Sequence, residues 1–548
     1  MKKYSKFIIV LLFSVITTLF ASDQTPLTRA EKSDYTETTR YAEVISFLQE
    51  LQKRSSKIRI TSIGKSTEGR DIPLVILGDP VPASPMQLFF QNKPAIYVQA
   101  NIHAGEVEGK EAMLMLMREI LTGSMFHLLK NQVILITPIF NPDGNEKISK
   151  KNRRNQVGPE GGVGIRYNGQ NLDLNRDYMK IESPENAGAI ELILNRWDPI
   201  LLVDLHTTNG SYHQEPLTYA TAHNPNGDPS LPEYVRKNLF PKVSKELETK
   251  YKILSIPYGY FADSSEPTKG WQTFNHLPYY STNYWSLRNR FAILDENYTY
   301  ADFKTRIEAC YRFVQLILEY TNQHGEKMVK LISDADSRTI QRGASADTSA
   351  RFGTRFEATP FEKPFLIRSY EFTSYQDERG RDRIKKSDRL KNYEVPFYGN
   401  FKVTKSIALA KGYFFSISLK KIAQKIHQHG IVVEQLIEPI SVEVQTFQVA
   451  KIENSKRIYQ GHKWTKIEGT YKTAKKELPV GTYYVGMDQP LANVAAYLLE
   501  PESDCGLVYW NFFDRYLRAS QWGRGLSEFP VCRLMKPMKF AKECVSNF

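Results

Sequence analysis

The chain is poor in cysteine, with four in 548 residues. Cys310, Cys505, Cys532 and Cys544 form no C-x-x-C pair, which excludes a zinc ribbon. In an exported protein the last three leave room for one disulfide, and the sequence fixes no pairing. No G-x-S-x-G stretch is present, so the serine-hydrolase nucleophile elbow is absent, and no G-x-x-x-x-G-K-[ST] stretch is present to cradle a nucleotide phosphate. Beyond the first twenty residues no apolar run is long enough to span a bilayer. No internal repeat is visible. Acidic residues are outnumbered, giving a formal charge of +13. That excess is spread along the chain: it suits contact with anionic surfaces such as cell wall, lipopolysaccharide or acidic peptides, and it identifies no nucleic-acid partner.

What is present begins with "MKKYSKFIIVLLFSVITTLFAS", three lysines followed by an apolar and hydroxyl run and then small residues. This reads as a secretory signal peptide over residues 1–22, with cleavage placed loosely after Ala21 or Ser22. The expected location is periplasmic or secreted, with no transmembrane span in the mature chain. Removing the segment takes away Lys2, Lys3 and Lys6 and no acid, so the remainder stays basic.

A hydrophobic content of 41% over this length is enough for two or more domains. "YTETTRYAEVISFLQELQKRS" places Tyr41, Val44, Ile45, Leu48 and Leu51 at helical spacing. "IRITSIG", "IPLVILG" and "AIYVQAN" read as strands, "EGKEAMLMLMREILTG" as a helix, "VILITPIF" as a buried strand, and "ENAGAIELILNRW" as a helix leading into the strand "PILLVDLH". This order predicts an α/β domain over 23–332 whose sheet is buried on both faces, with ligands collecting at the carboxyl ends of strands. The polar stretch "SDADSRTIQRGASADTSARFG" predicts a linker or long loop over 333–354. Residues 355–548 then read as a mixed, β-leaning α+β accessory domain of unknown function. Within it the run "ERGRDRIKKSDRLK" reads as a solvated charged loop.

The chemistry concentrates where strands end. In "YVQANIHAGEVEGKEAM", His103 and Glu106 follow an apolar strand, with small Ala104 and Gly105 leaving room for a metal. "ILLVDLHTTNG" repeats the pattern with His206, although His127, His213 and His223 are alternatives for a third ligand. Two nitrogens and one carboxylate leave a fourth zinc position open, a catalytic arrangement. Asn175-Arg176 in "NLDLNRDYMK" pairs an amide with a guanidinium, suited to gripping a carboxylate. In "RFAILDENYTY" another apolar strand delivers Asp295-Glu296, where a carboxylate can act as general base.

These motifs in this order, "HAGE", "NPDG", "LDLNRD", "DLHTTNG" and "ILDEN", resemble the zinc carboxypeptidase family of metallopeptidases over about residues 30–330. The resemblance implies an eight-stranded mixed sheet flanked by helices, one zinc ion, and hydrolysis of a peptide or amide bond near a free carboxylate. Carried over residue by residue, it makes His103, Glu106 and His206 the metal ligands, and Asp173 the acid orienting His103. Asn175 and Arg176 become the grip on the terminal carboxylate, and Glu296 the general base. Arg154 is assigned to the scissile carbonyl, with adjacent Arg153 as its alternative, and Tyr284, chosen over Tyr279 and Tyr280, to closure over substrate. One departure is Gly105, where family members often carry arginine.

The expected function is therefore that of an exported zinc metallocarboxypeptidase acting on peptides. A cell-wall enzyme trimming murein stem peptides, with cell-envelope contact, shares the same chemistry. An inactive peptide-binding module would be expected to lack one of His103, Glu106, His206 or Glu296. A deacylase of N-acyl amino acids would share the metal geometry.

Overall fold

The computed structural model describes residues 25–208, 210–518, 527–545 and 548; the expected signal peptide over 1–22 lies outside them. Helix α1 (Tyr41–Arg54) buries Val44, Leu48 and Leu51 of the expected face together with Phe47, while Tyr41 and Ile45 are half-buried. Strands β1 (Ile58–Lys65), β2 (Asp71–Leu77), β3 (Ala95–Ala100) and β4 (Val133–Thr137) follow, with helix α2 (Glu108–Thr122) between the last two. Strands β5 (Leu201–Thr208), β6 (Leu217–Thr221), β7 (Ser255–Pro257) and β8 (Phe291–Tyr298) complete an eight-stranded mixed sheet in the order β1-β2-β4-β3-β5-β8-β6-β7.

The sheet is apolar on both faces because helices cover both. β3, β4 and β5 are buried at every position: their apolar Val, Ile and Leu residues fill the core, and Gln99, Asp204 and His206 on β3 and β5 are buried with polar partners. β3, β5 and β8 are adjacent and mutually parallel, with Glu296 in register with His206. Three apolar strands therefore deliver their carboxyl ends to one place. The "NPDG" turn has a supporting role: Asn141 caps the short helix Pro142–Glu146, and buried Asp143 accepts from Ser66 Oγ (2.6 Å), Glu68 N (2.9 Å) and Arg70 Nη1 (2.7 Å).

Two sequence expectations about the second half require correction. Helix α4 (Phe303–Ala344) is 42 residues long and runs through the first half of the supposed linker at 333–354. Its last turns are polar outside, yet Ile332, Ala335, Thr339 and Gly343 form a buried stripe at intervals of three and four residues. A residue larger than glycine at 343 would place its Cβ within 1.8 Å of Met487 O, so the helix end abuts the accessory region directly. The charged run at 378–391 is also no loop: most of it lies in the strand Asp382–Val395, which pairs with Phe365–Gln376. A two-stranded ribbon with both faces largely in water tolerates lysine and arginine at most positions.

The accessory region also contains a seven-stranded sheet. Its strands are β9 (Gly412–Phe415), β10 (Glu434–Leu436), β11 (Ile440–Asn454), β12 (Thr465–Leu478), β13 (Tyr483–Gly486), β14 (Val531–Leu534) and β15 (Lys542–Cys544), in the order β12-β11-β14-β9-β13-β10-β15. One apolar cluster joins Leu74, Tyr97 and Trp285 of the first region to Tyr413, Tyr497 and Trp510 of the second. The two halves share a core. All four cysteines carry free thiols. Among the described residues no helix is long and apolar enough to cross a membrane.

Candidate active site

The backbone turns out of β3 and brings His103 and Glu106 to face His206 at the end of β5. His103 Nδ1 lies 3.2 Å from Glu106 Oε2 and 3.2 Å from His206 Nδ1, and His206 Nδ1 lies 3.0 Å from Glu106 Oε2. Ligand atoms about 2.0–2.2 Å from one tetrahedral ion stand about 3.3–3.6 Å apart, a few tenths of an ångström wider than this triangle, so a small opening of it accommodates a single zinc ion. All three side chains are at least 95% buried.

The far side of each ring is held by an acid. His103 Nε2 is 2.9 Å from Asp173 Oδ1, and His206 Nε2 is 2.9 Å from Asp204 Oδ2. Each imidazole is thereby fixed with Nδ1 towards the shared centre. Asp204 escaped the sequence reading although it stands two residues before His206 on the same strand, and so on the same face. It is also bound by Gln99 Nε2 (3.1 Å) and by the Ser281 hydroxyl. Replacing it, D204N, should weaken zinc binding about 10–100-fold with activity at saturating zinc changed far less. Competition against a chelator of known affinity measures this.

Electrostatics favours a cation here. Burial opposes ionisation of Glu106, but His103, Arg153 and His206 outweigh it and hold the carboxyl well below its ordinary range. Burial likewise opposes charge on His206, and Asp204 and Glu106 overcome it, holding a proton there in the metal-free protein. A metal ion would take that proton's place. Glu296 projects from β8 onto the same cavity, and burial, reinforced by Glu106 and Asp295, pushes its carboxyl up to about 8 against the pull of His206 and Arg153. Strand alternation turns Asp295 to the opposite face, where it accepts from Asn297 Nδ2 at 3.2 Å.

The cavity has a volume of about 230 Å³. Besides the three candidate ligands and Glu296, it is lined by Arg153, Arg166, Asn175, Arg176 and Tyr280, as well as by Tyr258, Phe274 and Leu294. Arg176 is half-buried, stacked 4.3 Å from the centre of the Tyr280 ring, and donates from Nη1 to Asn175 O at 2.8 Å. Burial works against its charge, and Asp173 with the surrounding tyrosines restores it. Asn175 is fixed by accepting from Ser281 N at 2.9 Å, where helix α3 (Ser281–Leu287) begins.

Two expected residues are elsewhere. Arg154 is exposed and lines no part of the cavity, whereas Arg153, with φ of 47°, turns inward. Arg153 donates to Glu106 Oε1 (2.9 Å), Thr207 O (2.6 Å) and Gln156 Oε1 (2.6 Å), so each of its three nitrogens already has a protein acceptor. It also accounts for Gly105: a Cβ there would fall 2.8 Å from Arg153 Cδ and 2.9 Å from Gly164 O. Arg166 was missed. Its Nε donates to Asp173 Oδ2 at 2.7 Å, and its side chain stays 35% exposed in the cavity. Its only sequence signal was its place just upstream of Asp173 in "GIRYNGQNLDLNRD". Tyr284 is wholly buried, its hydroxyl 2.7 Å from His429 Nδ1, and cannot close over a ligand. Tyr280 occupies the wall instead. His127, His213 and His223 lie outside the cavity lining: His213 packs on Tyr298 and Trp271, and His223 lies 3.1 Å from Thr273 Oγ1.

Comparison with known proteins agrees with this geometry. Residues 44–277 match the zinc carboxypeptidase family model (peptidase M14), a span that holds His103, Glu106, Arg176 and His206 and stops short of Glu296. Carboxypeptidase 2 of Trichophyton rubrum is 21% identical over 502 residues, covering 87% of this chain and 86% of that protein. Carboxypeptidase Z of Mus musculus is 33% identical over 150 residues, which is 26% of this chain and 22% of that one. A metallo-carboxypeptidase from Pseudomonas aeruginosa, solved with (2-guanidinoethylmercapto)succinic acid, aligns at 17% identity and a TM-score of 0.39 over 53% of this chain and 69% of that one. The likeness to the zinc carboxypeptidase family over residues 44–277 thus accompanies a mixed eight-stranded sheet and a His-Glu-His group suited to one metal ion.

Proposed function

We propose that this chain is an exported metallocarboxypeptidase that removes the last residue of peptides with a free terminal carboxylate. The observation that carries the reading is the presence, around one 230 Å³ cavity, of the His103-Glu106-His206 triangle, the Glu296 carboxylate and the half-buried Arg176 cation. Export is supported by the sequence of residues 1–22 and the basic balance of the remainder. The curated relatives named carboxypeptidase support the reaction class.

His103, Glu106 and His206 would hold a zinc ion, which when bound would supply the Lewis acidity to polarise a carbonyl and acidify water. Glu296 then takes the proton of the attacking water at its carboxylate and gives it to the departing amine. Arg166, tethered through Nε to Asp173 and with Nη1 3.6 Å from Glu106 Oε1, lines the cavity and stabilises negative charge developing on the carbonyl oxygen. Asn175 and Arg176 hold the terminal carboxylate, and Tyr280 covers the guanidinium. Murein stem peptides end in the same carboxylate and belong to the same substrate class.

Arg176→Ala tests the reading. KM for a peptide with a free carboxyl terminus should rise about 10–100-fold, the loss of a charge-assisted bidentate contact, with kcat changed far less. Amidating the peptide should weaken wild type similarly and add little to the variant's loss. Equal losses on free and amidated peptides would remove carboxylate recognition from Arg176 and favour amidase or deacylase chemistry.

A further inference from the structure

Arg176 is held partly by the accessory region. β11 and β12 are joined by a hairpin over 455–464 whose tip is a tight turn: Tyr459 N donates to His462 O (2.8 Å) and His462 N to Tyr459 O (3.0 Å). Its two central residues, Gln460 and Gly461, have φ of 51° and 82°, as a two-residue hairpin turn requires. The turn is held from both regions. His462 Nε2 lies 3.0 Å from Glu182 Oε2 of the first, while within the accessory region His462 Nδ1 lies 3.0 Å from Asn511 Oδ1 and the Tyr459 ring stacks on Trp510 at 6.4 Å.

From this anchored turn two side chains reach the active site. The Tyr459 hydroxyl accepts from Arg176 Nε at 3.1 Å, and Gln460 Oε1 accepts from the backbone N of Asp173 at 2.8 Å. Arg176 Nη1 is already committed to Asn175 O. With Nε and Nη1 both tied, the guanidinium plane is fixed, and Nη2 has no protein acceptor among the described residues while its side chain lines the cavity. A free arginine retains considerable rotamer entropy, so fixing the plane before substrate arrives strengthens the grip on a planar carboxylate.

We infer that the accessory hairpin completes the carboxylate clamp. Tyr459 is a positioning residue that orients Arg176, and Gln460 steadies the Asp173 segment behind His103. The site is therefore built by both halves of the chain. This rests on Arg176 as the carboxylate grip, and the test separates the two ideas.

Tyr459→Phe in the full chain removes one hydroxyl and keeps the ring on Trp510. KM for a free-carboxylate peptide should rise about 5- to 20-fold, the loss of a hydrogen bond to a charged group, while kcat stays within about two-fold. Rates on the amidated peptide and zinc content should be unchanged. In an Arg176→Ala background the same change should add less than about two-fold. An unchanged KM, an equal loss on free and amidated peptides, or a joint fall in kcat and zinc content would overturn the role of Tyr459. If Arg176→Ala itself fails to distinguish the two peptides, the carboxylate reading falls, and the hairpin inference with it.

Discussion

Glu296→Gln should lower kcat by about 10³-fold while leaving zinc content and KM within about two-fold of wild type. The change keeps shape and volume and removes the ability to take a proton, the contribution usually worth about 10²–10⁴-fold from a general base. Glu296 stands outside the triangle of His103, Glu106 and His206, so the metal should not notice its loss. Its register beside His206 on the parallel neighbour strand fixes where its carboxylate points. Steady-state kinetics with metal analysis on the same preparation decides the matter. A fall in zinc content parallel to the fall in rate would make Glu296 a ligand and leave the proton transfers unassigned.

Arg306→Leu should cost about 3–5 kcal/mol of stability, the usual penalty for leaving one member of a buried ion pair uncompensated. Arg306 and Glu108 are both wholly buried and paired through Arg306 Nε. The guanidinium also donates to Val157 O (2.6 Å), Gly158 O (3.0 Å) and Ala301 O, tying two loops to the start of α4. Glu108 receives the Thr207 hydroxyl next to His206, so the pair also braces the metal site. A lowering of Tm by roughly 5 °C is expected for a domain of this size. The double variant R306L/E108L should recover much of that loss, because no buried charge is left alone. A single variant that melts with wild type would show that water reaches Glu108.

Long apolar strands made the sheet legible, since a run such as "AIYVQAN" can be satisfied only when both faces are covered. The same runs located His103, His206 and Glu296, because residues at strand exits converge when the strands are parallel neighbours. What escaped depends on local geometry. Arg153 and Arg154 differ by one position, and only the left-handed backbone at 153 decides which points inward. Tyr279, Tyr280 and Tyr284 surround one helix start, and burial alone separates a wall residue from a core residue. The end of α4 was hidden because a polar helix needs only one buried stripe, and Ala335, Thr339 and Gly343 are small or polar enough to resemble a linker. Tyr459 lies 283 residues from its partner Arg176, a pairing no local pattern announces.

The central claim is tested most directly by mass spectrometry of two synthetic peptides incubated with the zinc-loaded full chain, identical except that one ends in a free carboxylate and the other in an amide. The free peptide should lose single residues stepwise from its carboxyl end, and the amidated one should stay intact over the same interval. Cleavage at an internal bond, or equal trimming of both peptides, would contradict a carboxypeptidase that grips its substrate through Arg176.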